Sequence, residues 1–330
     1  MIIRFLLFLI SLISLCSGSG CIYRSPGTLY PSSSEALSAY QSQLLEEMQH
    51  HVEELSETIG PRPGTSLKKI LEAERWLEKQ LQAMGIESKR DEVDLGTISV
   101  ANIEVSFSGL KSPDEIIVIG AHYDTVPGSP GANDNASGVA LLLATAKRLK
   151  NVTLDRTVRL VFFVNEENPF SGGIQMGSRV YADRCRSRND NIVAMLCVDS
   201  IGYYSSDSGS QKVPPFIGGI PSRGNFVAFG SNRENRHLVD CLLTIFQEQC
   251  RFPSIGVASD MKDMSRSDHA PFWWADYPAL FLTDTSQARD PHYHQPTDIA
   301  ENLNYIEMAR FAEGFIKMVI EIARAETRLH

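Results

Sequence analysis

The sequence predicts an α/β protein built on a largely parallel sheet with helices on both faces, and three observations carry that prediction. The apolar runs Ile116–Ala121, Val158–Val164 and Ile192–Val198 have the continuous hydrophobicity of strands buried on both faces. Amphipathic helical patterns, Ala136–Lys150 and Ser178–Arg186, alternate with them, as they must when parallel strands are joined by crossovers. The chain of 330 residues, 43% hydrophobic and 22% charged, can bury one large core. No internal repeat and no second domain boundary interrupts it.

From the amino terminus, Arg4 precedes the apolar run FLLFLISLISL and the small residues Ser17–Gly20, which together have the form of a secretory signal over residues 1–20. The run is shorter than the roughly 20 apolar residues that span a membrane. Cys21 follows directly and resembles the lipidated first residue of a bacterial lipoprotein, although Gly18 stands where such sites usually carry Leu. The expected location is therefore extracytoplasmic, secreted or periplasmic, with lipid attachment of Cys21 to a bacterial membrane and simple secretion both open. Residues 21–34 are expected to be a flexible tether, being rich in Ser, Pro and Gly from Ser25 to Ser34.

Residues 35–330 form the expected globular domain. Helical patterns cover Ser34–Ile59, with His50 and His51 on a solvated face, and Ser66–Met84, stopped by Gly85. Short strands at Glu87–Val93 and Val100–Phe107 precede the central run. A helix at Glu234–Gln249, a strand at Ala279–Thr283 and a terminal helix at Tyr305–Ala325 complete the pattern. Of the six cysteines, Cys16 leaves with the signal and Cys21 is the lipidation candidate. The other four suit an oxidising compartment, lack the CxxC spacing of a thiolate metal site, and include Cys197 in an apolar run where it reads as a small buried hydrophobe. The net charge of -9 argues against a nucleic-acid partner, which requires a basic surface.

The chemistry gathers where the buried strands end, the side on which ligands bind in open α/β sheets. His122, Asp124 and Asp134 follow the first strand, Glu166 and Glu167 the second, and Asp199 the third. His292, His294 and Asp298 lie in the loop after Ala279–Thr283. Neighbouring carboxylates in such places repel and cost stability unless a cation compensates. A pair of divalent metals bound by N and O donors, sharing one carboxylate, answers that demand.

The segments GAHYDTVPGSPGANDNASG, FVNEENPF, LCVDSIGYY and YHQPTD resemble the co-catalytic di-zinc aminopeptidase family, which also contains glutamate carboxypeptidases, glutaminyl cyclases and the transferrin receptor ectodomain. The likeness is greatest to secreted bacterial leucyl aminopeptidases and spans about Ile116 to Asn302. It implies a single zinc-exopeptidase-like domain, with a mixed, mainly parallel sheet sandwiched between helices. It also implies two zinc ions and a substrate that is the amino terminus of a peptide or protein. By matching positions, His122 and Asp199 would hold one zinc, Glu167 and His294 the other, and Asp134 would bridge them. Asp124 would orient His122, and Glu166 would be the general base that carries a proton to the leaving amine. His294 is preferred to His292 because the family's ligand follows Tyr and precedes a short link to Asp. His269 is a candidate substrate contact, and Tyr203, Phe272 and Tyr293 are candidates for the pocket of the first side chain.

Two departures from the family concern pocket shape: Asn165 stands where many aminopeptidases have Gly, and the NPFSGGIQMGS segment is long. The HxDxVP opening also suggests the di-zinc deacylases with a lid domain, but there the bridging Asp comes much later. Two readings remain as alternatives: a single-zinc acyltransferase of glutaminyl cyclase type, and a non-catalytic binding ectodomain. Either would be expected to have lost some of the five ligands.

Overall fold

In chain order, β1 (Tyr23–Ser25) precedes α1 (Ala39–Glu53) and α2 (Leu67–Ala83), and β2 (Lys89–Asp94), β3 (Ser99–Phe107) and β4 (Ser112–His122) follow. Next come α3 (Gly138–Leu149), β5 (Arg156–Phe163), α4 (Gly177–Arg188), β6 (Asn191–Val198) and β7 (Val227–Ser231). The chain continues through α5 (Arg236–Gln249), β8 (Ser254–Ala258), α6 (Ala270–Trp274), β9 (Ala279–Thr283) and α7 (Tyr305–Ile322). This computed structural model describes residues 23–25, 35–213, 220–324, 326, 327 and 329. The expected signal, Cys21 and most of the expected tether lie outside them.

The strands form one mixed sheet in the order β1-β8-β7-β9-β6-β4-β5-β3-β2. Its centre, β5-β4-β6-β9, is parallel, as is β7-β8. Its other pairings, β1-β8, β7-β9, β3-β5 and β2-β3, are antiparallel. The sheet is thus parallel where the apolar runs are continuous and antiparallel toward its margins.

β4 sits in the middle because both of its faces are apolar. Ile117, Ile119 and Ala121 point into a large core shared with α1, α2, α3, α5 and α7, whereas Ile116 and Val118 point into a smaller one with Phe163, Tyr181 and Phe272. The crossover through α3 places β5 on one side of β4, and the crossover through α4 places β6 on the other. β4 is therefore the switch point of the sheet, where a crevice opens at the carboxyl ends of the strands. Gly120 permits the tight packing there, since a Cβ would lie 2.2 Å from the Phe163 ring.

Several expectations change. The first helix begins at Ala39 rather than Ser34 because Ser38 and Gln41 form a reciprocal capping box. It then passes into a wider turn over Glu54–Ile59. His51 is buried, not solvated, and packs edge-on against Trp76 at 5.8 Å. Tyr23–Ser25, within the expected tether, is a strand at the sheet edge, anchored where the Tyr23 hydroxyl donates to Asp240 at 2.5 Å. β7 and β8 were not anticipated from the sequence. Each is five residues long and is interrupted by a glycine, Gly230 or Gly256, too short for periodicity to register. Cys197 is fully buried, as expected.

Candidate metal centre

Four parallel strands deliver the site. β4 ends in His122, β5 runs into Asn165–Glu167, β6 into Asp199, and β9 into the loop that carries His294. The chain turns sharply just beyond these ends through left-handed residues, Asn165 (φ 60°), Ser200 (φ 56°) and His294 (φ 60°). That region costs a side-chain-bearing residue on the order of 1–2 kcal/mol, and Asn tolerates it better than most. Asn165 in place of the family's Gly is thereby accounted for: the position needs a positive φ.

His122 Nε2 lies 3.2 Å from Asp134 Oδ1 and 3.8 Å from Asp199 Oδ1. His294 Nε2 lies 3.1 Å from Asp134 Oδ2 and 3.1 Å from Glu167 Oε1. Asp134 therefore presents one oxygen to each histidine. Two donor groups result, His122–Asp134–Asp199 and Asp134–Glu167–His294, and within each the ligand atoms lie within 4.8 Å of one another. Both Nε2 atoms are buried and lack a hydrogen-bond partner among the described residues, despite carboxylates at ion-pair distance. Orphaned ring nitrogens facing converging carboxylates fit a metal that takes N and O donors, and zinc is such a metal.

The surrounding groups hold these donors in place. Asp124, fully buried, accepts the backbone N–H of Glu166 on one oxygen and that of Glu167 on the other, both at 3.1 Å. His122 Nδ1 stands 3.2 Å from the Asp124 carbonyl and 3.7 Å from its carboxylate. The Asp124 carboxylate thus fixes the glutamate pair, whereas the ring it was expected to orient is within hydrogen-bond reach only of the Asp124 carbonyl. Asp298 does the same for Asp134, accepting from Asn133 N (2.7 Å) and Asp134 N (3.2 Å). The Asn133 amide donates at 2.9 Å to both Asp284 and Asp290, which ties the Asp134 loop to the His294 loop.

Negative charge accumulates in this small volume. Burial, together with the charges of Glu167, Asp268 and Asp199, pushes the Glu166 carboxyl well above the usual range, although the facing His122 opposes the rise. Burial and Asp134 push Glu167 up to about 7. Burial opposes a charge on His122, but Glu166 and the adjacent aspartates outweigh it and raise its pKa. A site whose carboxylates compete for protons in this way is compensated by a bound cation.

All five expected ligands converge, and Glu166 lies beside them outside both donor groups. His292 does not join them. It contacts Thr297 Oγ1 at 2.9 Å and meets the Tyr203 ring edge-on at 6.1 Å. Tyr293 stacks on His294 at 3.9 Å, and both it and Tyr203 are half-buried at the rim. Phe272 is a correction: it is fully buried in the smaller core among Phe163, Tyr181 and Tyr277 and has no exposed surface to offer a substrate. His269 is another, because its ring is enclosed by Phe281 and Trp273 and its Nε2 meets the Met264 carbonyl at 2.7 Å. Sequence reasoning missed Asn133, Asp268, Asp284, Asp290 and Arg62. The doublet Asn133-Asp134 was visible, but only the fold brings its partners from 150 residues away.

Paired N/O donor groups at the switch point of such a sheet fit a metal-dependent enzyme, and the family match makes that enzyme a peptidase. Residues 102–319 match the model of peptidase family M28, and the chain belongs to that family. Protein YfbL of Escherichia coli (strain K12) is 31% identical over 288 residues, covering 83% of this chain and 87% of YfbL. Aminopeptidase YwaD of Bacillus subtilis (strain 168) is 26% identical over 66% of this chain, a match that spans only 43% of YwaD. Among solved structures, BSAP, a zinc aminopeptidase from Bacillus subtilis, superposes with a TM-score of 0.68 at 15% identity, covering 86% of this chain and 96% of BSAP. The glutaminyl cyclase of Fimbriiglobus ruber shares the fold at a TM-score of 0.59 and 18% identity, covering 88% of this chain and 98% of the cyclase.

Proposed function

We propose that the protein is a di-zinc aminopeptidase that hydrolyses the first peptide bond of peptides or proteins, with Glu166 as general base. The observation that carries this reading is Asp134, which offers one oxygen to each of two donor groups. His122 and Asp199 would hold one ion, and Glu167 and His294 the other. Metal bound there supplies Lewis acidity toward the scissile carbonyl and acidifies water. Glu166, buried yet outside both donor groups, takes a proton from the attacking water and delivers it to the departing amine. Asp124 keeps that carboxylate in register by holding the Glu166 and Glu167 amides, and Tyr203 and Tyr293 flank the substrate's first side chain.

A panel of amino-acid p-nitroanilides, dipeptides and amino-terminal Gln peptides tests this. Hydrolysis of the first two classes is expected, lost to a chelator and restored by zinc. Ammonia release from amino-terminal Gln without peptide-bond cleavage would favour the cyclase reading, and inertness toward every class would favour the binding ectodomain. The intact pair of donor groups supports hydrolysis.

We also infer export with lipid attachment at Cys21, from the apolar run and small residues that precede it. Labelled palmitate is expected to enter the wild-type chain, but not Cys21→Ala, in a bacterial host that processes lipoproteins. A wild-type protein that is unlabelled and cleaved elsewhere refutes the anchor and leaves export standing.

A further inference from the structure

We propose that Arg62 is a positioning residue for the metal centre, a buried clamp that sets the loop between His122 and Asp134 in its ligand-binding shape before any ion arrives. This inference rests on the proposed metal-binding reading of the site. Arg62 lies in the segment PRPG between α1 and α2, remote in sequence from every ligand, and is fully buried. A buried guanidinium is normally matched by a carboxylate. Among the described residues, every hydrogen-bond acceptor of the side chain is a backbone carbonyl. Nε donates to Tyr123 O (2.5 Å), Nη1 to Pro130 O (2.6 Å), Leu55 O (3.2 Å) and Gly60 O (3.3 Å), and Nη2 to Gly131 O (3.0 Å).

Three of these carbonyls bracket the loop. Tyr123 stands between His122 and Asp124, and Pro130 and Gly131 stand just before Asp134. A single rigid fork therefore fixes the distance between the two ends of the segment that carries the ligands. The backbone adds a second tie, since Arg62 N donates to Thr125 Oγ1 at 3.1 Å and Thr125 N to Arg62 O at 3.4 Å. Gly131 completes the fit: its φ is +64°, and a Cβ there would lie 2.3 Å from Thr125 Cγ2 and 3.3 Å from Arg62 Nη2.

The charge acts as well as the shape. Burial lowers the Arg62 pKa to about 10, so the group stays cationic at neutral pH, and the carboxylates it faces electrostatically are Asp298, Asp124 and Asp134. With no carboxylate paired to it directly among the described residues, its field offsets the repulsion among them in the metal-free protein. Lysine could supply the charge but not five donors in a planar fork.

The test compares wild type, Arg62→Met, Arg62→Lys and Thr125→Val, and reads two quantities. The first is zinc affinity by competition with a chromophoric chelator; the second is amide hydrogen exchange across residues 123–134 in chelator-treated protein. Arg62→Met is expected to weaken zinc binding by the ~10–100-fold typical of groups that support metal ligands. It should also speed exchange in this loop at least ~10-fold, while β6 and α7 keep their protection. Arg62→Lys should recover little of either, and Thr125→Val should shift both in the same direction by less, without stranding a charge if Arg62→Met fails to fold. Wild-type zinc affinity and loop protection in Arg62→Met overturn the proposal, as does an unchanged Thr125→Val when Arg62→Met is unfolded. If the wild type takes up no zinc, the metallopeptidase reading fails, and the exchange arm alone decides the clamp.

Discussion

Glu166→Gln is expected to slow the chemical step by at least the ~10²–10⁴-fold typical of losing a general base, with zinc content unchanged. The two glutamates are adjacent, share a side-chain type and are both buried, yet only Glu167 belongs to a donor group, 3.1 Å from His294 Nε2. Because Asp124 holds the backbone amides of the pair and not their carboxylates, the substitution leaves the main chain in place. Gln keeps the volume but cannot accept a proton in the working range. Single-turnover rates measured beside metal content decide the matter, and KM should move little because the lost interaction belongs to the transition state. Glu167→Gln should do the reverse, losing zinc first, since a neutral amide is a poor substitute for a carboxylate ligand. If Glu166→Gln loses metal and Glu167→Gln keeps it, the two roles are exchanged. A fully active Glu166→Gln refutes the general base.

How much of this site could be read from the sequence depends on what kind of residue each part uses. His122, Glu167 and Asp199 were legible because each closely follows a buried apolar run, and parallel strands bring their carboxyl ends to one edge. His122, Glu167 and Asp199 are therefore neighbours as soon as the strands are recognised. His294 was legible only through the family likeness, since the residues alone left His292 as its equal. The structure separates them by backbone: His294 adopts φ 60°, which places its ring beside Asp134, whereas His292 meets Thr297.

The supporting groups were not legible, for a physical reason. Arg62, Asn133, Asp284 and Asp290 act through hydrogen bonds that span 61 to 157 residues, and no local pattern records such contacts. The mistaken pocket residue and the mistaken substrate contact err in a common way. Phe272 and His269 lie between Asp199 and His294 in sequence, but the short helix α6 turns Phe272 into the smaller core, and His269 is enclosed between aromatic rings. Aromatic residues near a site are more often its packing than its lining, because burying them yields the most apolar area.

Asp134→Ala is expected to disturb both metals at once, whereas His122→Ala should empty mainly one. Wild-type protein should carry close to two zinc equivalents and His122→Ala about one, with Asp134→Ala binding neither ion tightly. Activity of Asp134→Ala should fall by more than the ~10–100-fold that follows loss of a group merely supporting a ligand. The asymmetry follows from geometry: His122 offers one nitrogen to one group, but Asp134 offers Oδ1 to His122 and Oδ2 to His294. The substitution leaves the loop in place because its backbone is what holds it. Asp298 accepts the amides of Asn133 and Asp134, and Ala132 N donates to the Asp298 carbonyl at 3.2 Å. In the metal-free state burial opposes the Asp134 charge, but His122 and His294 outweigh it and hold its carboxyl below the usual range. Deleting the carboxylate removes both pairs, so metal-free Asp134→Ala should melt below metal-free wild type and should also lose the stabilisation that zinc gives the latter. Zinc content by elemental analysis and melting curves with and without zinc give the answer: an Asp134→Ala protein that keeps two equivalents, or one at wild-type affinity, refutes the shared carboxylate.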